Sequence, residues 1–190
     1  MRLEPLTLSV CENGAPGGGA QRSSCPFCGV RLAEGREPFL CVDGSEESSC
    51  VPCSLVRHLE RETIAEEAVL VWLPDLSQAA LNAVANVVHR RLAAEGALYL
   101  AASPFAVTWS EIPNPALEAI RAIEMRRAEA ETRFGTSSPR VLGEALMRAR
   151  PNLYADRARR LGGLRLWSRG KFLVDGEDVY PRLVASSVAA

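Results

Sequence analysis

Hydrophobic and polar positions divide the chain into parts with different patterns. Residues 1–24 end in a Gly- and Ser-rich run without periodicity, which is typical of a flexible tail. Residues 68–73, AVLVWL, are continuously apolar and rich in β-branched side chains. The apolar positions after Ser77 recur at helical spacing: Leu81, Val84, Ala85, Val88 and Leu92. We therefore predict a buried strand over 68–73, followed by an amphipathic helix that Ser77 caps and that ends before Gly96.

The strand and helix just described begin a predicted α/β body over residues 67–190. Weaker patterns predict its other elements and bring the number of main helices to three. ALYLAA and FAVTW, around Pro104, favour short strands. A second helix is expected over 115–133 and a third from 139 to about 150, each with Pro at its first position. The final segment, 164–184, carries Gly-containing turn signals between apolar runs and predicts small strands or a hairpin. The fold class is therefore α+β.

Two closely spaced cysteine pairs lie in residues 25–66. Cys25-Pro-Phe-Cys28 and Cys50-Val-Pro-Cys53 are separated by 21 residues, which hold a strand-like piece and the polar turn DGSEESS. A helical stretch, SLVRHLERE, follows the second pair. The segment therefore predicts a module with the order knuckle, hairpin, knuckle, helix.

The spacing of the four cysteines favours one structural Zn²⁺. A two-residue gap lets both thiolates of a knuckle point at one ion, and two knuckles fill a tetrahedral shell with soft ligands. A redox dithiol is the alternative, but neither pair lies in a βαβ pattern. His58 could replace one thiolate as a ligand. Cys41 is interpreted as a small buried apolar residue and Cys11 as a bystander in the tail.

Composition and charge narrow the function classes. The chain has 190 residues and is 47% apolar, which suits a globular protein with a real core. The sequence has neither a signal peptide nor an apolar run of about 20 residues, so we expect a cytoplasmic protein with reduced cysteines. The formal charge of −1 combines an acidic first part with a basic stretch of +7 over residues 115–171. A zinc module that binds nucleic acid through these arginines therefore stays open as an alternative.

The layout of the module resembles the zinc-bound ββα core of HNH endonucleases, but catalytic groups are not found where that chemistry needs them. Residues 29–49 contain no histidine for a general base, and the four thiolates leave no open position on the metal. Asn82, Asn86 and His89 share one helical face beside the apolar stripe, which we interpret as a solvated or hydrogen-bonded surface. We expect no enzyme activity, and a residual HNH nuclease is a further alternative.

The knuckles, together with residues 71–82, VWLPDLSQAALN, resemble the DotN (IcmJ) proteins of type IVB secretion systems. The resemblance covers about residues 25–180. It implies an HNH-endonuclease-like zinc fold without nuclease chemistry, packed with a helix-rich α/β body. It also implies an adaptor that binds an extended C-terminal segment of the coupling ATPase and helps to recruit substrates.

The same resemblance implies the surroundings of the protein. Further partners would be an inner-membrane subunit and small acidic chaperones of the coupling complex. The chain would be cytoplasmic and would reach the inner membrane through partners, without inserting into it. Nucleic acid is not expected as a partner. Trp72 and Trp109 are candidate aromatic anchors for a partner segment, with core packing as the favoured alternative for Trp72.

Overall fold

The computed structural model describes residues 3, 5–10, 23–32, 39–40, 46–47, 49–105 and 114–188, with the backbone alone at 39–40, 46–47 and 186–188. The strands in these ranges are β1 (Phe39–Leu40), β2 (Glu46–Glu47), β3 (Ala68–Trp72), β4 (Leu164–Ser168), β5 (Leu173–Val174) and β6 (Glu177–Asp178). The helices are α1 (Val51–Arg57), α2 (Ile64–Glu67), α3 (Gln78–Ala94), α4 (Pro115–Glu124), α5 (Arg127–Phe134), α6 (Pro139–Met147), α7 (Pro151–Ala155), α8 (Arg157–Arg160) and α9 (Tyr180–Val188). Helices with small antiparallel sheets make an α+β fold, as predicted.

The longest strands, β3 and β4, form an antiparallel pair at the centre of the body. The register places Leu70 opposite Leu166 and Val69 opposite Trp167. The first four residues of β3 are buried on both faces of the sheet, which explains why the sequence there is apolar without alternation. The predicted strand over 68–73 is confirmed.

Both outer edges of this two-stranded sheet are covered. On the β3 side, Leu70 N donates to Ser137 O at 2.9 Å and Trp72 N donates to Arg126 O at 3.1 Å. On the β4 side, the Gln78 side chain pairs with the backbone of Leu166. Buried backbone groups therefore find partners without a third strand.

Helix α3 packs across β4 and contacts α1, α4 and α9, so it connects most of the molecule. Ser77 Oγ accepts a hydrogen bond from Ala80 N at 3.1 Å, which confirms the predicted cap. The buried apolar side chains include Leu81 and Leu92, as predicted, whereas Val84 is 38% exposed. The part of the chain that the structure describes contains no helix long and apolar enough to cross a bilayer.

The segment from Cys25 to the end of α1 has the predicted order of knuckle, hairpin, knuckle and helix. Strands β1 and β2 form the hairpin, and α1 begins at the second knuckle. The helix ends at Arg57, because the chain turns at His58 before α2 begins, and is therefore shorter than the predicted stretch 54–62. The main core includes side chains from α1 and from β3, so it continues across the predicted boundary at residue 66.

Several weaker predictions were wrong. Residues 98–101 form a 3-10 helix instead of a strand, because an apolar run of six residues does not distinguish the two by periodicity. The FAVTW segment lies outside the described residues after Phe105. The helix predicted over 115–133 is interrupted at Met125–Arg126, where Arg126 O turns to accept from β3. The third helix is α6, which ends at Met147.

The C-terminal segment is a hairpin followed by a helix. Asp175 and Gly176 join β5 to β6 with φ values of 50° and 82°, the left-handed pair that a tight two-residue turn requires. Residues 180–184 were predicted as strand but begin α9. Asp178 Oδ1 accepts from Tyr180 N at 3.0 Å and so stabilises the start of this helix.

The described part of the predicted flexible tail is packed against the body. Leu8 and Val10 are buried, and Ser9 N donates to Val56 O at 3.0 Å. Leu59 N donates in turn to Ser9 O at 3.2 Å. Apolar residues alternate from Leu6 to Val10, so one side of this extended stretch is apolar and is buried on α1. The tail prediction was therefore wrong for residues 5–10.

Candidate metal centre

The first cysteine pair lies on a tight turn. Gly29 N donates to Cys25 O at 2.9 Å and Cys25 N donates to Val30 O at 2.8 Å, which closes the loop around both cysteines. Gly29 has a φ of +75°, a left-handed conformation that a residue with Cβ adopts only with strain. The Gly after the knuckle is thus required by the turn that brings Cys25 and Cys28 together.

The second pair is positioned by the start of α1. Cys50 is the N-cap residue, and Cys53 lies in the first turn of the helix. Cys53 N and Ser54 N both donate to Cys50 O, at 3.0 Å and 2.9 Å. Pro52 suits this position because the first helical N–H groups have no partner within the helix. One helical turn therefore brings both sulfur atoms to the same side of α1.

The four predicted cysteines converge on one point. Their Sγ atoms all lie within 4.8 Å of one another, and Cys28 Sγ is 3.5 Å from Cys50 Sγ. A tetrahedral ion with metal–sulfur bonds of about 2.3 Å needs sulfurs about 3.8 Å apart. Cys25, Cys50 and Cys53 are buried, and Cys28 is partly exposed. The arrangement can hold a metal ion with four sulfur ligands.

Crowding of the four thiols separates their pKa values. Hydrogen bonds from Cys28, Cys50 and Cys53 to the Cys25 sulfur lower the pKa of Cys25. The pKa of Cys53 is raised, chiefly because its hydrogen bond stabilises the neighbouring thiolate of Cys25 and so keeps the Cys53 proton in place. A divalent cation removes this competition because it stabilises all four thiolates at once.

Two asparagines of α3 face the second cysteine pair. Asn82 Nδ2 donates to Cys53 Sγ at 3.2 Å, and Asn86 Nδ2 lies 3.5 Å from Cys50 Sγ and 2.8 Å from Asn82 O. Asn82 is 1% exposed and Asn86 is 9% exposed. This helical face is hydrogen-bonded, one of the two options in the interpretation, but it is buried and is not a solvated surface. The amide groups of Asn82 and Asn86 can be buried because each finds a sulfur atom to which its N–H group is directed.

The orientation of the Asn82 amide is fixed from β4. Leu166 N can only donate, and it donates to Gln78 Oε1 at 2.8 Å. Gln78 Nε2 then donates to Leu166 O at 2.9 Å and to Asn82 Oδ1 at 2.8 Å. Asn82 must therefore direct its NH₂ group at Cys53 Sγ. The sequence prediction missed Gln78, although the four-residue spacing of Gln78, Asn82 and Asn86 is a signal for one polar helix face.

His89 lies further along the same helix and is fully buried. Its Nδ1 atom is 2.8 Å from the Tyr180 hydroxyl, and the Tyr180 and Trp167 rings pack around it at 5.4 Å and 5.8 Å between centroids. Burial lowers the pKa of His89 to about 3. The imidazole is therefore neutral near pH 7, and its burial separates it from solvent.

This burial predicts a pH dependence of stability. The unfolded chain binds a proton at His89 below its usual pKa of about 6.5, whereas the folded chain does so only near pH 3. Stability is then fully present above about pH 6.5 and falls with decreasing pH by up to about 1.4 kcal/mol per unit. His89→Gln is expected to flatten this slope in urea unfolding between pH 6.5 and 5. Equal slopes in both proteins, which share the same cysteines, would contradict the prediction.

The remaining candidate residues are placed away from the four sulfurs or outside the described residues. His58 Nδ1 is 3.0 Å from Glu60 Oε1, and His58 is not part of the cysteine cluster. Trp72 is partly buried and packs against Phe134 with 5.9 Å between ring centroids, which favours a packing role. The guanidinium of Arg133 covers its ring at 4.3 Å. Three further candidates, Cys11, Cys41 and Trp109, lie outside the residues that the structure describes.

Most of the basic side chains in residues 115–171 are already held by acidic groups. Examples are Arg127–Glu131, Arg133–Glu129, Arg140–Glu144, Arg159–Asp156 and Arg169–Glu124. Most of these pairs are exposed and join residues one helical turn apart, and several carboxylates are shared between two arginines. The formal excess of positive charge in this stretch is therefore unchanged, and the nucleic-acid alternative stays a prediction.

The chemistry of the site is that of a closed ligand set. Four sulfurs could supply the four positions of a tetrahedral ion, and one carboxamide group contacts each sulfur of the second pair. Comparison with models of protein families finds no match for the chain, and comparison with curated proteins finds no match either.

Proposed function

We propose that the four cysteines bind one structural Zn²⁺ in an HNH-like ββα module. Four thiolates form a soft ligand set that suits Zn²⁺ in a reducing compartment. The order of hairpin β1–β2 and helix α1, with ligands before and after the hairpin, supports the likeness to this class of module. The ion would link the first knuckle to α1, which contributes to the main core.

We propose further that the module is not catalytic, and one observation carries this proposal. Four sulfurs within 4.8 Å of one another fill a tetrahedral shell, so substrate or water finds no position on the ion. The histidines also argue against a nuclease. His89 is fully buried against Tyr180, and His58 is engaged with Glu60. A general base must reach the proton that it removes, and neither residue lies in the cysteine cluster.

An adaptor subunit of a type IVB secretion coupling complex is the function that we propose for the whole chain. The support is the resemblance of the knuckles and of residues 71–82 to the DotN proteins. In this chain, Gln78 and Asn82 of that segment form the hydrogen-bonded connection between β4 and Cys53. The adaptor would remain cytoplasmic and would bind the C-terminal segment of the coupling ATPase.

Affinity purification of the chain from its own cells tests the adaptor proposal. We expect a large ATPase to copurify, and we expect a synthetic peptide of its C-terminal segment to bind the pure chain with a Kd of about 1 μM or tighter. Cys53→Ser, which lacks a zinc ligand, should lose this binding, while Cys41→Ser should keep it. Recovery of nucleic acid alone, with an affinity that falls steeply with salt, would contradict the proposal and favour the nucleic-acid alternative.

A further inference from the structure

We propose that the two halves of the zinc site differ in reactivity, so that Cys28 is the thiolate that a soft electrophile modifies first. The second pair, Cys50 and Cys53, is hydrogen-bonded by Asn86 and Asn82 and resists modification. Release of the metal then begins at the first pair. This inference rests on the proposed Zn²⁺ site.

The second pair is stabilised by two side-chain amides. An N–H group directed at a thiolate stabilises the negative charge on sulfur and so makes its lone pair less nucleophilic. The Asn82 amide is fixed at Cys53 by Gln78, as described above, and Asn86 is fixed by its bond to Asn82 O. Both donors belong to α3. Buried residues of this helix lie on either side of them, with Leu81 before Asn82 and His89 after Asn86.

The first pair has less protection. Among the described residues, no side-chain amide reaches the sulfur of Cys25 or of Cys28. Cys28 is partly exposed, whereas the other three cysteines are at most 2% exposed. Among the residues that the structure describes, the buried apolar cover of the cluster consists of Phe27 and Leu32 besides the cysteines. Cys28 is thus the most exposed of the four cysteines, and no side-chain amide of the described residues gives it the charge stabilisation that Cys53 receives.

The crevice next to Cys50 is too small to make the second pair more reactive than Cys28. It has a volume of about 20 Å³ and is lined by Cys50, Asn86 and Tyr180, among others. A water molecule needs at least about 10–15 Å³ of free volume, so the crevice accepts a single water. Alkylating reagents are several times larger than a water molecule, and Cys50 is itself only 2% exposed, so we expect them to react slowly with it.

The modification step is a substitution at carbon. The lone pair of the Cys28 thiolate attacks the CH₂ carbon of iodoacetamide, an S–C bond forms, the C–I bond breaks and iodide leaves. The resulting thioether is neutral and binds Zn²⁺ more weakly than the thiolate did. The ion then retains three strong ligands and exchanges faster with a chelator in solution.

Mapping of the modified cysteines in the zinc-loaded wild-type protein tests the inference directly. Limiting iodoacetamide is added to the full chain, and peptides are quantified by mass spectrometry together with zinc content. We expect Cys28 to react at least about tenfold faster than Cys50 or Cys53, a ratio that corresponds to one hydrogen bond to a charged group. Zinc-loaded protein that reacts first at Cys50 or Cys53 would overturn this inference alone. Protein purified without metal would overturn the proposed zinc site and this inference together.

Variants of the two asparagines separate hydrogen bonding from exposure. Asn82→Leu keeps a similar volume but lacks the N–H donor, and we expect zinc transfer to a chromogenic chelator to accelerate about 10- to 100-fold. Asn86→Leu serves as the second variant in case the first does not fold, which circular dichroism establishes. Asn152→Leu, at an exposed position of α7, is the matched control and should exchange zinc like the wild type. Equal exchange in all of these proteins would contradict a role for the amides.

Discussion

Replacement of Cys53 by serine is expected to abolish tight zinc binding and to unfold the segment around the four cysteines. Structural zinc sites contribute about 10–16 kcal/mol in small domains near neutral pH. Within the described part of the chain, the buried apolar side chains of the cluster apart from the cysteines are Phe27 and Leu32. Burial of two such side chains supplies only about 3–6 kcal/mol. We therefore expect loss of the metal to remove most of the free energy that keeps the described part of this segment folded.

Hydrogen exchange measured alongside metal content checks this expectation. Amides of residues 23–32 should lose protection in Cys53→Ser, whereas those of β3 and β4 should remain protected, because the main core is separate from the cysteine cluster. Cys41→Ser is the matched control, since it also replaces a cysteine but leaves the predicted ligand set complete. Unchanged protection and one bound zinc per chain in Cys53→Ser would contradict the prediction.

Glu67→Gln is expected to destabilise the fold by about 1.5–3 kcal/mol, the range for hydrogen bonds to a charged group, because the Arg61 side chain that remains is 23% exposed. Glu67 is fully buried and binds Arg61 with both oxygens, at 2.8 Å and 3.0 Å. Leu173 N donates to the same carboxylate at 2.7 Å, and Arg61 Nη2 donates to Leu173 O at 2.9 Å. The guanidinium also lies 4.3 Å from the Phe172 ring centroid. The pair thus anchors the C-terminal hairpin to the end of α2.

Urea unfolding of Glu67→Gln beside Glu66→Gln measures this contribution. Glu66 is the adjacent residue, it is 61% exposed in the side chain, and its contact with Lys171 is a surface ion pair. Such pairs contribute about 0–1 kcal/mol, so the control should unfold close to the wild type. The double variant Arg61→Met/Glu67→Gln should recover part of the loss, because no unpaired charge remains. A loss below about 1 kcal/mol in Glu67→Gln would refute the assignment.

The cysteine cluster could be predicted because its signal is local. A gap of two residues determines where both sulfurs of a knuckle point, whatever the rest of the chain does. The α3 helix was predictable for a similar reason, since its cap at Ser77 and its apolar spacing depend only on neighbouring residues. The sequence therefore indicated which four residues converge.

The amides of α3 could not be placed from periodicity alone. Amphipathic analysis assumes that polar positions face water, but Asn82 and Asn86 face sulfur and Gln78 faces the edge of β4. The burial of Gln78 depends on a strand residue 88 positions later in the chain, and that of Asn82 and Asn86 on cysteines 29 and 36 positions earlier. The polar side of the helix was consequently assigned to the surface, while Val84, counted in the apolar stripe, is 38% exposed.

The C-terminal helix and the packed N-terminal residues were missed for a different reason. The start of α9 depends on Asp178 and on Pro181 in the first turn, signals that the preceding hairpin pattern obscured. Leu8 and Val10 alternate with polar residues over a stretch too short to distinguish a packed segment from a tail. Hydrogen bonds to the backbone of Val56 and Leu59, and to the side chains of Tyr154 and Arg157, hold this stretch in its conformation.

X-ray absorption spectroscopy at the zinc edge of the purified protein tests the central claim most directly. A closed set of four thiolates predicts four sulfur neighbours at about 2.3 Å and no nitrogen or oxygen in the first shell. An oxygen or nitrogen neighbour near 2.0 Å would mean that water or histidine occupies a position on the ion. That result would contradict a purely structural metal and would reopen a catalytic role.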